Sequence, residues 1–408
     1  MKRQAVLLLF VFGALALSGQ NTILLNKYLR SNFGTDTMFD GVSFRVWGIT
    51  NTLMEFPKIP ASIIYCNEGD TVILNTRNIS QGEHHTIHLH GLDVDTRNDG
   101  DPATSFWLNH MQDTTYTFVA HNAGTYLYHC HVADVVHVQM GMYGLIVVKA
   151  AGGAKNAWTG GPPYSKDYKW LLTEVDRSWH DTIPVHNPNT DTLNVPPYRP
   201  DYFLVNGKSG WELNADDSIK ISGSQNEPIY LRLGNIMYFY NRVIIPPQLN
   251  AQIISSDGRP LPNAIISDTV EIMPGERYGV MLQASVQFND SIAIQYIDMN
   301  TDSVWNTQYV QVNISGIYSV PEIKKPASIS VFPNPSNDFI TIKFTDKKTV
   351  NGLFSIVNIL GENVVSGKLT TTDGKKTINI SHLPSGTYFL NVQEENFSFP
   401  AARFIKID

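Results

Sequence analysis

The chain has 408 residues, enough for two or three domains with separate cores, and 30 Lys+Arg against 37 Asp+Glu give a net charge of −7. That mild acidity, with only short basic pairs such as Lys324-Lys325, Lys347-Lys348 and Lys375-Lys376, excludes the basic stripe of a nucleic-acid binder. Two cysteines, Cys66 and Cys130, exclude a disulfide-rich scaffold.

The first element is a secretory signal over 1–18: Lys2-Arg3, an apolar run from Ala5 to Leu17, and a small-residue cleavage site at Ala16-x-Ser18. That run is short for a bilayer span and no later segment approaches the length, so the mature chain is expected to be exported without a transmembrane segment. Helical periodicity is almost absent afterwards. Short β-branched and aromatic runs alternate with Gly, Pro, Asn and Asp, among them Val42 to Trp47, Thr71 to Asn75, Thr115 to Ala120, Gly144 to Val148, Ile229 to Leu233 and Tyr309 to Val312. That texture predicts an all-β protein of sandwiches or barrels. Small-residue stretches at 150–163 (AAGGAKNAWTGGPP) and 317–326 (IYSVPEIKKP) read as linkers, dividing the chain into domains at 20–150, 164–316 and 327–408.

Nine of the twelve histidines fall between His84 and His137. In His85-Thr-Ile-His88-Leu-His90-Gly91, strand alternation points His88 and His90 to one face and His85 to the other. In His129-Cys130-His131 the two imidazoles share a face and the thiol takes the opposite one, with a following loop bringing back His137 and Met142. Two sites result. His85, Cys130, His137 and Met142 supply two imidazoles, a thiolate and a weak axial thioether, the ligand set of blue-copper electron-transfer centres. Met140 rivals Met142 as the thioether. On the other face His88, His90, His129 and His131 offer four imidazoles suited to copper that meets dioxygen. A Cys66–Cys130 disulfide is the bland alternative, but a half-cystine has no reason to sit between two histidines, so Cys66 is expected as a buried free thiol. His84, His110 and His121 carry no motif.

These two motifs together, over roughly 70–148, resemble the copper-bearing cupredoxin domain of multicopper oxidases, the laccase-like family. The resemblance implies type 1 ligands at His85, Cys130, His137 and Met142. It puts type 2 copper at His88 and type 3 copper at His90, His129 and His131. The gap from Cys130 to His137 is two residues longer than in typical laccases. The ending His137-Val-Gln-Met-Gly-Met142-Tyr-Gly is close to that of two-domain oxidases and copper nitrite reductases. Strings at 171–176, 202–207, 253–258 and 273–278 liken the second domain to a cupredoxin domain that carries no copper. The fold class implied is two tandem cupredoxin-like Greek-key units followed by a small β-sandwich.

A trinuclear oxygen site in this family takes four more histidines from a facing domain, as two His-x-His pairs. From Asn187 to Ser381 there is no histidine or cysteine, and His180 and His186 are not spaced as such a pair. A complete cluster from this chain alone, even as a homotrimer, is therefore not expected, and nitrite reduction is disfavoured because it needs a histidine from a neighbour's second domain. The four-histidine half-site is then expected either as a smaller copper site or as one completed by a different polypeptide. Asp93, Asp95 and Asp99 after the His-x-His-Gly read equally as carboxylates supporting the metal or as turn residues.

The last 82 residues, with Ser330-Val-Phe-Pro-Asn-Pro335 and Leu383-Pro-Ser-Gly-Thr-Tyr388, hold no chemistry-bearing cluster, and His382 is isolated in a turn. They resemble the C-terminal sorting domain of type IX secretion cargo, implying delivery to the cell surface or exterior. Two functions are thus expected of the chain. One is a secreted copper oxidoreductase passing electrons from a small reducing substrate or metal ion to oxygen. The other is a non-enzymatic electron-transfer or copper-binding protein.

Overall fold

The structure is a computed structural model that describes residues 21–185, 194–317, 329–345, 348–394, 397–399 and 401–408. The expected signal at 1–18, His186 and most of the second linker lie outside the described residues. Two compact units divide the chain, 1–318 and 319–408.

The first unit opens with eight strands: β1 (Thr22–Thr37), β2 (Ser43–Thr50), β3 (Ile64–Asn67), β4 (Thr71–Asn78), β5 (His88–His90), β6 (Asp113–Val119), β7 (Gly124–His129) and β8 (Tyr143–Lys149). They make two four-stranded sheets, ordered β2-β1-β4-β6 and β3-β8-β7-β5. β1 runs parallel to β4 and β3 parallel to β8, the other pairs being antiparallel. Such a mixed sandwich fills its core by alternation: Tyr126, Tyr128, Cys130, Ile146 and Val148 face Leu29, Trp47, Val72, Leu74 and Tyr116. The intervening residues leave by the opposite face. Leu127, Tyr143 and Leu145 pack with Leu171, Val175 and Leu204 of the following strands. That pleat decides the face on which His88, His90 and His129 stand.

Residues 166–317 form a second pair of sheets. The six-stranded one runs in the order 202–205, 166–175, 229–235, 277–282, 252–256, 259–266, and the five-stranded one 221–225, 303–317, 288–298, 240–244, 269–272. Their shared core is made by aliphatics such as Leu231, Leu233, Val243, Val280, Ile294 and Val310. Between the two sandwiches the expected linker is ordered: Asn156 bridges to Pro163, and Ala157 and Tyr164 pack on Tyr230 and Ile254. Small residues here serve close packing. At the contact, a side chain on Gly124 would lie 2.7 Å from the Gly258 Cα, so only glycine lets the two backbones touch.

The Greek-key sandwiches are bound by polar groups as well. Arg259 Nη2 donates to both carboxylate oxygens of Asp93 at 2.7 and 2.6 Å, and its Nη1 donates to Tyr126 Oη at 3.0 Å. Glu174, fully buried, accepts the backbone N–H groups of Tyr238 (2.8 Å) and Phe239 (2.9 Å) and the Tyr198 hydroxyl (3.2 Å). Burial pushes its carboxyl up to about 7 against those hydrogen bonds. A raised carboxyl pKa favours the protonated fold. Its stabilisation is full below the ordinary glutamate value and is lost as pH rises through about 7. At ~1.4 kcal/mol per pKa unit the swing is of order 3 kcal/mol. Glu174→Gln is expected to flatten that part of the stability curve. Urea unfolding of both proteins at pH 5 and pH 8 checks it; an equal pH 5-to-8 drop in the variant contradicts it.

The second unit is a small β-sandwich with sheets ordered 329–332, 339–344, 375–379 and 363–371, 350–358, 386–394, the last strand pairing with both 397–398 and 402–406. Ile340, Ile342, Ile356, Leu369, Leu390 and Phe404 fill it. No helix among the described residues is long and apolar enough to cross a membrane.

Candidate metal centre

The expected strand through both His85 and His90 is broken. β5 holds only His88–His90, while His85 makes an isolated bridge to Leu108. The break seats His85 in the sandwich interior, while His88 and His90 stay on the opposite face of the sheet. β7 likewise ends at His129. The segment after it is a short helix, α1 (Asp134–Gln139), rather than a loop, and it carries His137 back toward Cys130.

The three donors converge. His85 Nδ1 and His137 Nδ1 are 3.2 Å apart, and Cys130 Sγ is 3.2 Å from His137 Nδ1 and 3.6 Å from His85 Nδ1. Metal–nitrogen and metal–sulfur bonds of about 2.0 and 2.3 Å spread over a trigonal plane need donor spacings of roughly 3.3–3.8 Å. The residues therefore fit one soft metal ion. All three side chains are buried, as are Met142 and Met140. The Met142 carbonyl accepts the Cys130 N–H at 3.0 Å, and the Met140 carbonyl accepts the Trp47 N–H at 2.8 Å. Desolvation works against a charged His137, but the thiol and Glu83 outweigh it and push that imidazole up to about 9 in the metal-free chain. Metal uptake displaces protons held there.

Across the sheet His88 and His129 sit directly opposite each other in the β5–β7 register. The four rings form a closed set, His88 lying 5.5, 5.1 and 4.9 Å from His90, His129 and His131 between centroids. Donor atoms of His88, His90 and His129 all fall within 4.8 Å of one another. His88 Nδ1 donates to the Asp99 carbonyl at 2.9 Å and His129 Nδ1 to the Cys130 carbonyl at 2.9 Å, which turns both Nε2 lone pairs outward for a metal. Burial first, then Arg277 and the neighbouring rings, drive His90 down to about 4; burial and the other three rings drive His129 to about 3. Uncharged imidazoles are the form that binds metal.

The aspartates divide. Asp99 Oδ1 stands 3.4 Å from His88 Nδ1, Asp95 binds Asn98 within its turn, and Asp93 pairs with Arg259. Cys66 is free and buried. His84 packs tilted against Trp107, His110 donates to the Ser80 carbonyl, and His180 donates to the Arg45 carbonyl. Glu83, Ser80, Trp47 and Arg277 escaped sequence reasoning. Glu83 had one available signal, its place two residues before His85.

Gly100 holds the Asp99 carbonyl in place with φ +78°, and a side chain there would run into the Ile87 carbonyl and come 2.9 Å from His88 N. Gly100→Ala is expected to cost ~1–3 kcal/mol and to lower the occupancy of the four-histidine face while sparing the thiolate site. Thermal melting with metal analysis tests it; unchanged values in both sink it.

A mixed β-sandwich with a buried Cys–His–His triad beside a histidine face defines a cupredoxin copper protein. Two multicopper oxidase family models match residues 38–152 and 170–311, together more than half of the chain. The chain belongs to the multicopper oxidase family, whose cofactor is copper. A third model, the secretion system C-terminal sorting domain, matches 330–406, and it marks the chain for secretion by the type IX route to the cell surface or exterior.

Among curated relatives, the copper-containing nitrite reductase of Neisseria meningitidis serogroup B is 36% identical over 202 residues, 49% of this chain and 47% of that protein. L-ascorbate oxidase of Cucumis sativus is 25% identical over 250 residues, 55% of this chain and 40% of that protein. The chain spans about half the length of the curated relatives it matches. The blue copper oxidase of Nitrosomonas europaea superposes with a TM-score of 0.57 at 27% identity, over 73% of this chain and 86% of that one.

Proposed function

We propose that the chain is a secreted copper oxidoreductase that takes single electrons from a small reducing substrate or metal ion and delivers them to oxygen. The observation that carries this reading is the convergence of His85 Nδ1, Cys130 Sγ and His137 Nδ1 within 3.2–3.6 Å of one another. His85, Cys130 and His137, with Met142 as the thioether, would hold a type 1 copper. His88, His90 and His129, with His131 beside them, would hold copper on the other face, and Asp99 keeps the proton on His88 Nδ1. Bound copper supplies the one-electron redox chemistry. Cys130 is joined by one peptide bond to each of His129 and His131, so the backbone links the two sites covalently.

Among the described residues, the second sandwich answers the histidine face with no histidine. It puts Gly275 and Arg277 against His90 and Gly91 instead. This favours, as the second reading, an electron-transfer or copper-binding protein that is not an enzyme. It also limits the copper on that face to what this chain's own imidazoles hold, unless a partner polypeptide adds more. Copper analysis, electron paramagnetic resonance and oxygen uptake on the mature protein separate the two. More than one copper per chain with uptake on a phenol, Cu(I) or Fe(II) supports the oxidase. A single blue copper with no uptake overturns it.

A further inference from the structure

We propose that Glu83 is a positioning residue of the thiolate centre: together with Ser80 it sets the tautomer of both ligand imidazoles, and its buried charge biases the bound metal toward the higher oxidation state. This rests on the type 1 reading above.

Both residues come from the short loop that leads from β4 into His85. Ser80 Oγ lies 2.9 Å from His85 Nε2, and Glu83 Oε2 lies 3.3 Å from His137 Nε2. The loop is held from several sides. Asn78 Nδ2 donates to the Glu83 carbonyl at 2.8 Å, the Ser80 N–H donates to Asn78 Oδ1 at 2.9 Å, and His110 Nδ1 donates to the Ser80 carbonyl at 3.0 Å. His110, which carries no motif, is thereby a support of this loop.

The proton positions follow from the partners. The Ser80 hydroxyl donates its one hydrogen to the Leu29 carbonyl (3.2 Å) and accepts the Ser31 N–H (2.7 Å). Only a lone pair of Ser80 then faces His85, so His85 Nε2 carries hydrogen and Nδ1 offers its lone pair to the metal. A carboxylate only accepts, so Glu83 imposes the same arrangement on His137. The Trp47 ring packs edge-on against His137 at 5.1 Å between centroids, closing that side.

Charge adds a second effect. Glu83 and His137 are both fully buried, so their interaction is not screened by water. A negative charge one imidazole away favours the metal state of greater positive charge. Tautomer and charge can be separated by substitution. Glu83→Gln keeps an acceptor oxygen for His137 Nε2 but removes the charge; Glu83→Ala removes both.

The test uses the full secreted chain loaded with copper, read by its reduction potential, its blue absorption band and its resistance to a competing chelator. Glu83→Gln is expected to keep the band and shift the Cu(II)/Cu(I) affinity ratio by about tenfold, about 59 mV upward. Glu83→Ala and Ser80→Ala are expected to lose Cu(II) about 10–100-fold more readily. Circular dichroism of the metal-free variants verifies that they fold. A Glu83→Gln potential equal to wild type, or Glu83→Ala with wild-type chelator resistance, overturns the role of Glu83 while leaving the type 1 centre intact. A wild-type chain that never gains the blue band overturns the centre and this inference with it.

Discussion

Cys130→Ser is expected to abolish the blue absorption band and to reduce oxygen uptake by at least ~100-fold, the loss expected when a metal ligand itself is removed rather than its supporting partner. The sulfur is fully buried and completes a triangle with the two Nδ1 atoms. Serine is a harder and shorter donor that stays protonated and gives no thiolate charge transfer. Its volume fits the site, so the sandwich is expected to remain folded. An optical spectrum and an oxygen electrode decide the matter, and a variant that stays blue would remove Cys130 from the centre.

The double variant His88→Ala/His90→Ala should do the converse. Both imidazoles lie on β5, on the strand opposite the one that runs into Cys130, so the thiolate site keeps all its donors. The expected result is an intact blue band, a loss of copper per chain, and oxygen uptake lowered ~100-fold or more because electrons have nowhere to go. Metal analysis beside the spectrum reads both. Unchanged copper content with full uptake would show that the four-histidine face is not the second site. Loss of the blue band as well would show that the two faces are not independent, contrary to the pleat.

Much of this site is legible in one dimension. Two-residue alternation predicts that His129 and His131 part from Cys130, and Cys130 does face the core although β7 ends at His129. The same rule sends His88 and His90 together. The all-β class follows from β-branched runs cut by turn residues, and strands at Thr71–Asn78, Tyr143–Lys149 and Ile229–Asn235 lie where those runs predict. Local pattern is silent on the conformation of two segments. His137 sits on α1, a six-residue helix too short to show a periodicity. The stretch at 150–163 looks like a loose linker, because small residues that pack closely and small residues that flex have the same composition.

By itself, then, the sequence determined which residue types are candidate ligands and on which face His88, His90 and His129 stand, since ligand chemistry and strand period are local properties. Only the tertiary structure decided what surrounds them. The partners of His85 and His137 and the Arg277 guanidinium near His90 are set by contacts between segments far apart in the chain. Glu83 reaches His137 across 54 positions because β4, β5 and β7 bring their loops to one end of the sandwich. Burial, which gives such a carboxylate its leverage, exists only after the core has closed.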